Sequence, residues 1–163
     1  MKNLLVFAVS VSLAVLAGTQ AGAQNYNSAI GARLGYPVSI SYKTFLTAEH
    51  ALEGYVGFRT WRNYSYSSIN AAYQVHFPLE GIENLQWYIG AGGGIYLWNY
   101  DVRPRERNTE IGLGIQGYLG LDYTIPDLPI NVFVDWIPTF FISGYRTGFY
   151  ASYGNIGVRY VLR

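Results

Sequence analysis

The sequence predicts an all-β protein, an eight-stranded antiparallel up-and-down transmembrane β-barrel preceded by a cleaved signal peptide. Three observations lead to this fold class. After residue 23 the chain alternates between apolar and polar or small residues in eight separate runs, which is the pattern of strands with two different faces. The charges inside these runs all lie opposite the large aliphatic side chains, and the first residues have the features of an export signal.

Residues 1–23 are predicted to be the signal peptide and residues 24–163 the barrel domain. Lys2 supplies the positive charge, an apolar stretch follows over residues 4–17, and small residues precede a cleavage site between Ala23 and Gln24. A retained membrane helix is the alternative, but this stretch is shorter than the ~20 residues that a spanning helix needs. The chain contains no cysteine, so disulfides and thiolate metal sites are excluded.

Composition argues against a soluble exterior. Charged residues make up 13% of the chain and aromatic residues 17%, whereas a typical soluble domain carries roughly 25% charged residues. The formal net charge of +1 argues against nucleic acid as a partner, since such proteins present a basic face. We expect no cofactor.

The eight runs are long enough and even in number, as a closed membrane barrel requires. Most reach the ~9–11 residues with which a tilted strand crosses a bilayer. The runs cover residues 28–36, 38–46, 51–60, 66–77, 86–97, 110–125, 130–140 and 152–162. Their apolar faces carry, in order, Ile30 and Leu34, Ile40 and Tyr42, Leu52 and Val56, Ile69 and Tyr73, Trp87 and Ile89, Ile111 and Leu113, Val132 and Val134, and Ile156 and Val158.

Seven charged residues lie well inside the runs, too few to solvate the exterior of a soluble barrel with an apolar interior. We therefore expect the aliphatic face to contact lipid and the charges to pair inside a lumen that eight strands make just wide enough for side chains to fill. Two neighbouring carboxylates among them could instead form a general acid–base pair. The predicted lumenal network consists of Arg33, Lys43, Glu53, Arg59, Asp122, Asp135 and Arg159.

The connections suggest an orientation and a candidate contact surface. If both chain ends are periplasmic, as is usual, the outer loops are 36–38, 61–65, 99–109 and 143–150. The third is the longest, and its Arg103, Arg105 and Arg107 could contact lipopolysaccharide phosphates, since guanidinium groups suit phosphate recognition; a merely solvated loop is the alternative. Aromatic residues near this end, among them Tyr66 and Trp98, are predicted to form an outer girdle at the membrane interface.

The last run carries a resemblance to a known family. The order of Asn155, Gly157, Tyr160 and Leu162 resembles the C-terminal signal by which outer-membrane barrels of Gram-negative bacteria are handed to their insertion machinery. With the eight runs and the export signal, the chain resembles the small outer-membrane β-barrels of the OmpA/OmpX kind. Gly157, Tyr160 and Leu162 would then form the insertion signal. The resemblance implies a monomeric or weakly associating barrel with a filled lumen, and as partners the insertion machinery, outer-membrane lipid and lipopolysaccharide.

Function is predicted less sharply than fold. The leading hypothesis is a non-enzymatic barrel with a structural or surface-interaction role, because members of the family serve in envelope integrity, adhesion or surface binding. A lipid-modifying enzyme of the outer leaflet is one alternative, with His50 or His76 as the base, although both are expected on the periplasmic side. A narrow channel for small solutes is another. Since the barrel occupies the rest of the chain, no periplasmic peptidoglycan-binding domain is expected.

Overall fold

The computed structural model describes residues 26–61, 64–103 and 106–162, and in these ranges ten strand segments build the wall of a closed barrel. The predicted signal peptide, with Ala23 and Gln24, lies outside the described residues. No helix in the described ranges is long and apolar enough to cross a membrane. The segments are β1 (Ser28–Gly35), β2 (Val38–Phe45), β3 (His50–Thr60), β4 (Tyr64–Pro78), β5 (Leu85–Arg103), β6 (Glu106–Thr124), β7 (Ile130–Trp136), β8 (Thr139–Ser143), β9 (Gly148–Tyr150) and β10 (Gly154–Leu162).

Antiparallel pairing closes the barrel. Strands β1 to β6 pair in chain order, β6 pairs with β7, β7 with β10, and β10 with β1. The closing register places Gly31 opposite Arg159 and Arg33 opposite Gly157. The predicted all-β, eight-stranded antiparallel barrel is confirmed.

The seventh and eighth strands of the wall are each divided into two segments. The run predicted over residues 130–140 ends as β7 at Trp136 and resumes as β8 at Thr139, because Pro138 has no N–H with which to continue the ladder. The N–H of Ile137 instead donates to the carbonyl oxygen of Tyr153 at 2.9 Å. The short β9 pairs with β8 ahead of β10. The alternation of inward and outward side chains continues through the break, so Ile137, Thr139 and Phe141 all face the lumen.

The hairpin of β5 and β6 is taller than the sequence predicted. Residues 99–109 were expected to form the longest outer loop, but β5 continues to Arg103 and β6 begins at Glu106. Asn99 and Thr109 face each other, and the Thr109 hydroxyl donates to Asn99 Oδ1 at 2.9 Å. The expectation was wrong because a strand with polar residues on both faces lacks the apolar–polar alternation by which strands are recognised in a sequence. Its backbone groups can still pair with a neighbouring strand.

The barrel is inverted relative to a soluble protein. Its outward face exposes large apolar side chains on strand after strand, including Ile40 at 67% exposure and Ile69 at 66%, whereas monomeric soluble proteins rarely expose apolar patches of more than a few hundred Å². The inward face buries polar and charged residues beside aromatic rings. The end of the barrel that holds Tyr26 and Leu162 is called the terminal end, and the opposite end, which holds Tyr36, Trp61 and Tyr145, the far end.

We predict that Gly120→Ala destabilises the barrel. Gly120 faces the lumen directly beneath the ring of Tyr88, and an added Cβ would lie 2.5 Å from Tyr88 Cζ. The ring is buried and its hydroxyl donates to Asp135, so we expect a loss of about 1–3 kcal/mol. The urea midpoint of refolding into detergent micelles measures it. Gly54→Ala is the control, since the atom nearest to its added Cβ is 3.9 Å away. Equal midpoints for both variants would contradict the packing described.

Candidate functional site

The lumen is crossed in its terminal half by a set of buried polar side chains to which every strand of the wall contributes. Three cations and three carboxylates form its centre, and neutral donors complete it. The alternating strand pattern aims these side chains inward. The charged members are Arg33 on β1, Lys43 on β2, Glu53 on β3, Asp122 on β6, Asp135 on β7 and Arg159 on β10, joined by Gln74 on β4 and Tyr88 on β5.

Arg33 bridges two carboxylates on either side of its own strand. Its Nη1 lies 2.6 Å from Glu53 Oε1, and its Nη2 lies 2.6 Å from Asp135 Oδ2. The guanidinium carbon is 4.6 Å from the ring centroid of Tyr55 and 5.0 Å from that of Phe133. A planar guanidinium suits this position, because it donates in two directions while its faces pack on rings.

Arg159 and Lys43 carry the network across the lumen. Arg159 Nη2 lies 2.8 Å from Glu53 Oε1, Nη1 lies 3.4 Å from Asp122 Oδ2, and the guanidinium carbon lies 3.5 Å from the centroid of Phe133. Lys43 Nζ lies 2.9 Å from Asp122 Oδ2. Because β2 and β6 stand on opposite sides of the barrel, the Lys43–Asp122 pair is a crossbar.

Neutral donors add hydrogen bonds to each of the three carboxylates. Gln74 Nε2 donates to Glu53 Oε2 at 2.8 Å, and Tyr88 donates its hydroxyl to Asp135 Oδ2 at 2.9 Å. Asn131 Nδ2 donates to Asp122 Oδ1, and the Tyr26 hydroxyl donates to Asp122 Oδ2 at 3.2 Å. Buried charges are tolerated only when they are paired and hydrogen-bonded. The three positive and three negative charges here balance.

The structure brings together six of the seven charges assigned to the network from sequence. Arg59 does not join them: it lies six residues beyond Glu53, which places it about 20 Å further along β3 at a rise of about 3.3 Å per residue. Its guanidinium packs 3.5 Å from the ring centroid of Tyr36 at the far end. Lys43 is in register with Glu53 on the neighbouring strand, but its ammonium group reaches across the lumen to Asp122.

The lumenal aspartates are buried and bound by neighbouring side chains. Asp122 and Asp135 are 1% and 5% exposed, and each is held by cations and hydroxyl donors. A general acid or base must come within hydrogen-bond reach of a substrate proton, whereas these two carboxylates are hydrogen-bonded to other lumenal side chains. Within the described ranges, no group of three or more His, Cys, Asp or Glu side chains could hold a metal ion.

Both histidines lie toward the terminal end. His76 is fully buried, with its ring 4.8 Å from that of Tyr88 and 4.9 Å from that of Phe45. His50 is at the start of β3, where its Nδ1 is hydrogen-bonded to the Tyr73 hydroxyl at 2.7 Å. His76 is thus a packed ring of the lumen, and His50 belongs to the outer surface of a hairpin.

The far half of the lumen holds an aromatic cluster that sequence reasoning missed. Trp98 and Tyr66, assigned to the outer girdle, are 0% and 2% exposed and face inward, so that assignment was wrong. The sequence could have revealed this, because side chains an even number of residues apart on a strand share a face. Trp98 therefore faces the same side as the inward-facing Tyr88 and Tyr96. The cluster comprises Tyr55, Tyr66, Tyr96, Trp98, Tyr118, Ile137, Phe141 and Tyr153, with Tyr64, Tyr100 and Tyr150 packed against it.

The remaining candidate residues belong to the closing strand β10 and to the β5–β6 hairpin. Gly157 faces the lumen against the ring of Phe133, while Tyr160 and Leu162 point outward near the terminal end. Their role as an insertion signal stays a prediction. Of the candidate lipopolysaccharide contacts, Arg105 lies outside the described residues, as do the side chains of Arg103 and Arg107.

Comparison with solved structures identifies the fold. The N-terminal β-barrel domain of Pseudomonas aeruginosa OprF superposes with a TM-score of 0.65 at 16% identity, over 85% of this chain and 100% of that one. Neisserial surface protein A (NspA) has a TM-score of 0.57 at 11% identity, over 83% of this chain and 93% of that one. The chain has the fold of the small outer-membrane barrels. No sequence model of a protein family matches the chain, and no curated protein sequence does.

We predict that Arg159→Leu destabilises the barrel by about 3–5 kcal/mol, because removing one partner of a buried ion pair leaves the other charge uncompensated. Glu53 and Asp122 would each lose a cation that is 0% exposed. The control is Arg59→Leu, which removes a stacked guanidinium at the far end and should cost about 1 kcal/mol or less. Urea midpoints of the two variants measure the difference. An unchanged midpoint for Arg159→Leu would show that water reaches this part of the lumen.

Proposed function

We propose that this protein is a non-enzymatic, monomeric barrel of the bacterial outer membrane, exported with cleavage after Ala23, with a structural or surface-interaction role in the envelope. One observation carries the proposal: the charges are buried in the lumen and the aliphatic side chains are exposed on the outer wall. Such an exterior is stable against lipid acyl chains and unstable in water. Similarity to two barrel structures supports the same reading at the level of fold.

The partners follow from the two kinds of surface. The aliphatic wall requires outer-membrane lipid, and a β-barrel enters a membrane with all its backbone groups paired, which calls for the barrel-insertion machinery. Gly157, Tyr160 and Leu162 on the closing strand are the proposed signal for it. Contact of Arg103, Arg105 and Arg107 with lipopolysaccharide remains part of this proposal, on the argument that guanidinium groups suit phosphate.

The ion-paired lumen supports a closed rather than a conducting barrel. Arg33, Glu53 and Arg159 meet inside the lumen with side-chain exposures of 0%, and Lys43 crosses to Asp122 on the opposite wall. A solute entering from either end would have to break several paired charges. A filled lumen is also the ordinary interior of eight strands.

We predict that the protein fractionates with the outer membrane and shows heat-modifiable mobility. Closed barrels keep their hydrogen bonds in cold detergent, so an unheated sample should migrate differently from a boiled one. Floating the membranes on a density gradient, followed by electrophoresis with and without boiling, measures both properties. Recovery of the native protein in the soluble periplasmic fraction would refute the proposal.

We predict that the purified barrel forms no discrete conductance steps in planar bilayers. The lumenal pairs that involve Arg33 and Asp135 close the passage, and their geometry predicts silence at ordinary salt concentrations. Reproducible steps that change on Arg33→Ala would instead show a narrow channel gated by this network, and would overturn the closed-lumen assignment. Insertion into the same membranes, shown by flotation with liposomes, controls for protein that never entered the bilayer.

A further inference from the structure

A short strap lies at the far end of the barrel. It links β8 to β9 over residues 144–147. Gly144 at its start and Gly148 just after it have φ angles of 104° and 96°, in the left-handed region that glycine adopts at little cost. Tyr145 in the strap stacks on Tyr100 with ring centroids 4.3 Å apart and lies 5.8 Å from Trp98. The strap therefore folds onto the aromatic cluster.

The strap places the guanidinium of Arg146 inside a ring of aromatic faces. Its central carbon is 4.8 Å from the centroid of Tyr64, 5.5 Å from that of Tyr150 and 5.9 Å from that of Trp98. All three distances lie within the ≈ 6 Å at which a cation is attracted to a ring face. Trp98 is fully buried and forms the floor, while Tyr64 and Tyr150 are half-buried walls. These three rings are called the far-end cage.

The far-end cage differs from the surroundings of the other inward-facing cations. Arg33, Lys43 and Arg159 each meet a carboxylate in the terminal half, whereas the salt bridges of the described residues include none to Arg146. Glu110, the cross-strand partner of Trp98, accepts a hydrogen bond from the Tyr100 hydroxyl at 3.2 Å. Aromatic faces are surroundings that attract organic cations.

We propose that the far-end cage is a binding site for a soluble organic cation with a guanidinium or quaternary ammonium group, and that Arg146 occupies it when no such cation is bound. The guanidinium shows by its own position that a planar cation fits among the three rings. Rotation at Gly144 and Gly148 would withdraw the side chain and admit an external cation of the same chemistry. Because Arg146 is tethered, it competes at an effective concentration in the millimolar range.

The test compares ligands that differ only in charge. Choline and agmatine are titrated into the folded barrel in neutral detergent, with 3,3-dimethylbutan-1-ol as the uncharged counterpart of choline. We expect both cations to change the tryptophan fluorescence of Arg146→Ala, and the neutral alcohol to leave it unchanged. Wild type should bind about tenfold more weakly, since only the fraction of molecules with a vacant cage can bind. Arg146→Gln repeats the measurement with a side chain of similar length in case Arg146→Ala folds poorly.

Two further variants assign the signal. Trp98→Phe in the Arg146→Ala background should abolish the fluorescence change, because the other three tryptophans lie outside the cage, while calorimetry still detects binding to the Phe ring. Arg59→Ala, which removes a guanidinium stacked on Tyr36 at the same end, should bind as wild type does. Equal binding of the alcohol and choline, or no binding of either cation to a folded Arg146 variant, would overturn the proposal. Neither outcome depends on the protein's cellular location.

Discussion

The pairing of buried charges inside the lumen is the interaction on which the rest of the barrel depends. Each of the three carboxylates, Glu53, Asp122 and Asp135, would be unstable there alone, and each is held by cations from other strands. A carboxylate or guanidinium loses several kcal/mol of solvation on burial. That loss is offset only when all eight strands stand in the register that brings the partners together, so the network ties barrel closure to a single arrangement.

The polar lumen and the apolar outer wall both follow from this network. Because the inward positions hold the polar side chains, the aliphatic residues must point outward, and the same alternation that builds the network builds the lipid-facing wall. The lumen is then divided along its axis. Its terminal half is ionic and crossed by the Lys43–Asp122 pair, whereas its far half is aromatic, with the Tyr55 and Tyr118 hydroxyls 2.9 Å apart and Gln116 donating to Tyr96. The ion pairs of the terminal half connect the strands of the wall, and the aromatic half lies toward the far end of the barrel.

Period-two alternation was sufficient to predict the architecture and most of the network, since a strand position alone decides which face a side chain occupies. The alternation does not give the height of a side chain along the barrel axis. It therefore cannot show which side chains from strands distant in sequence lie at the same height. Arg59 was therefore grouped with Glu53, and the reach of the long Lys43 side chain across the lumen to Asp122 was not predicted. The strap that carries Arg146 lies between strands and has no period, so its contacts were invisible in the sequence.

A double-mutant cycle on Lys43 and Asp122 tests most directly whether the lumenal charges hold opposite walls together. Lys43→Met, Asp122→Asn and the double variant are compared with wild type by their free energies of unfolding in lipid vesicles. If the pair is a desolvated crossbar, the coupling energy should be about 1.5 kcal/mol or more, within the range for interacting neighbours. A coupling near zero, with additive losses, would show that the two groups are separately solvated and that the network does not carry the fold.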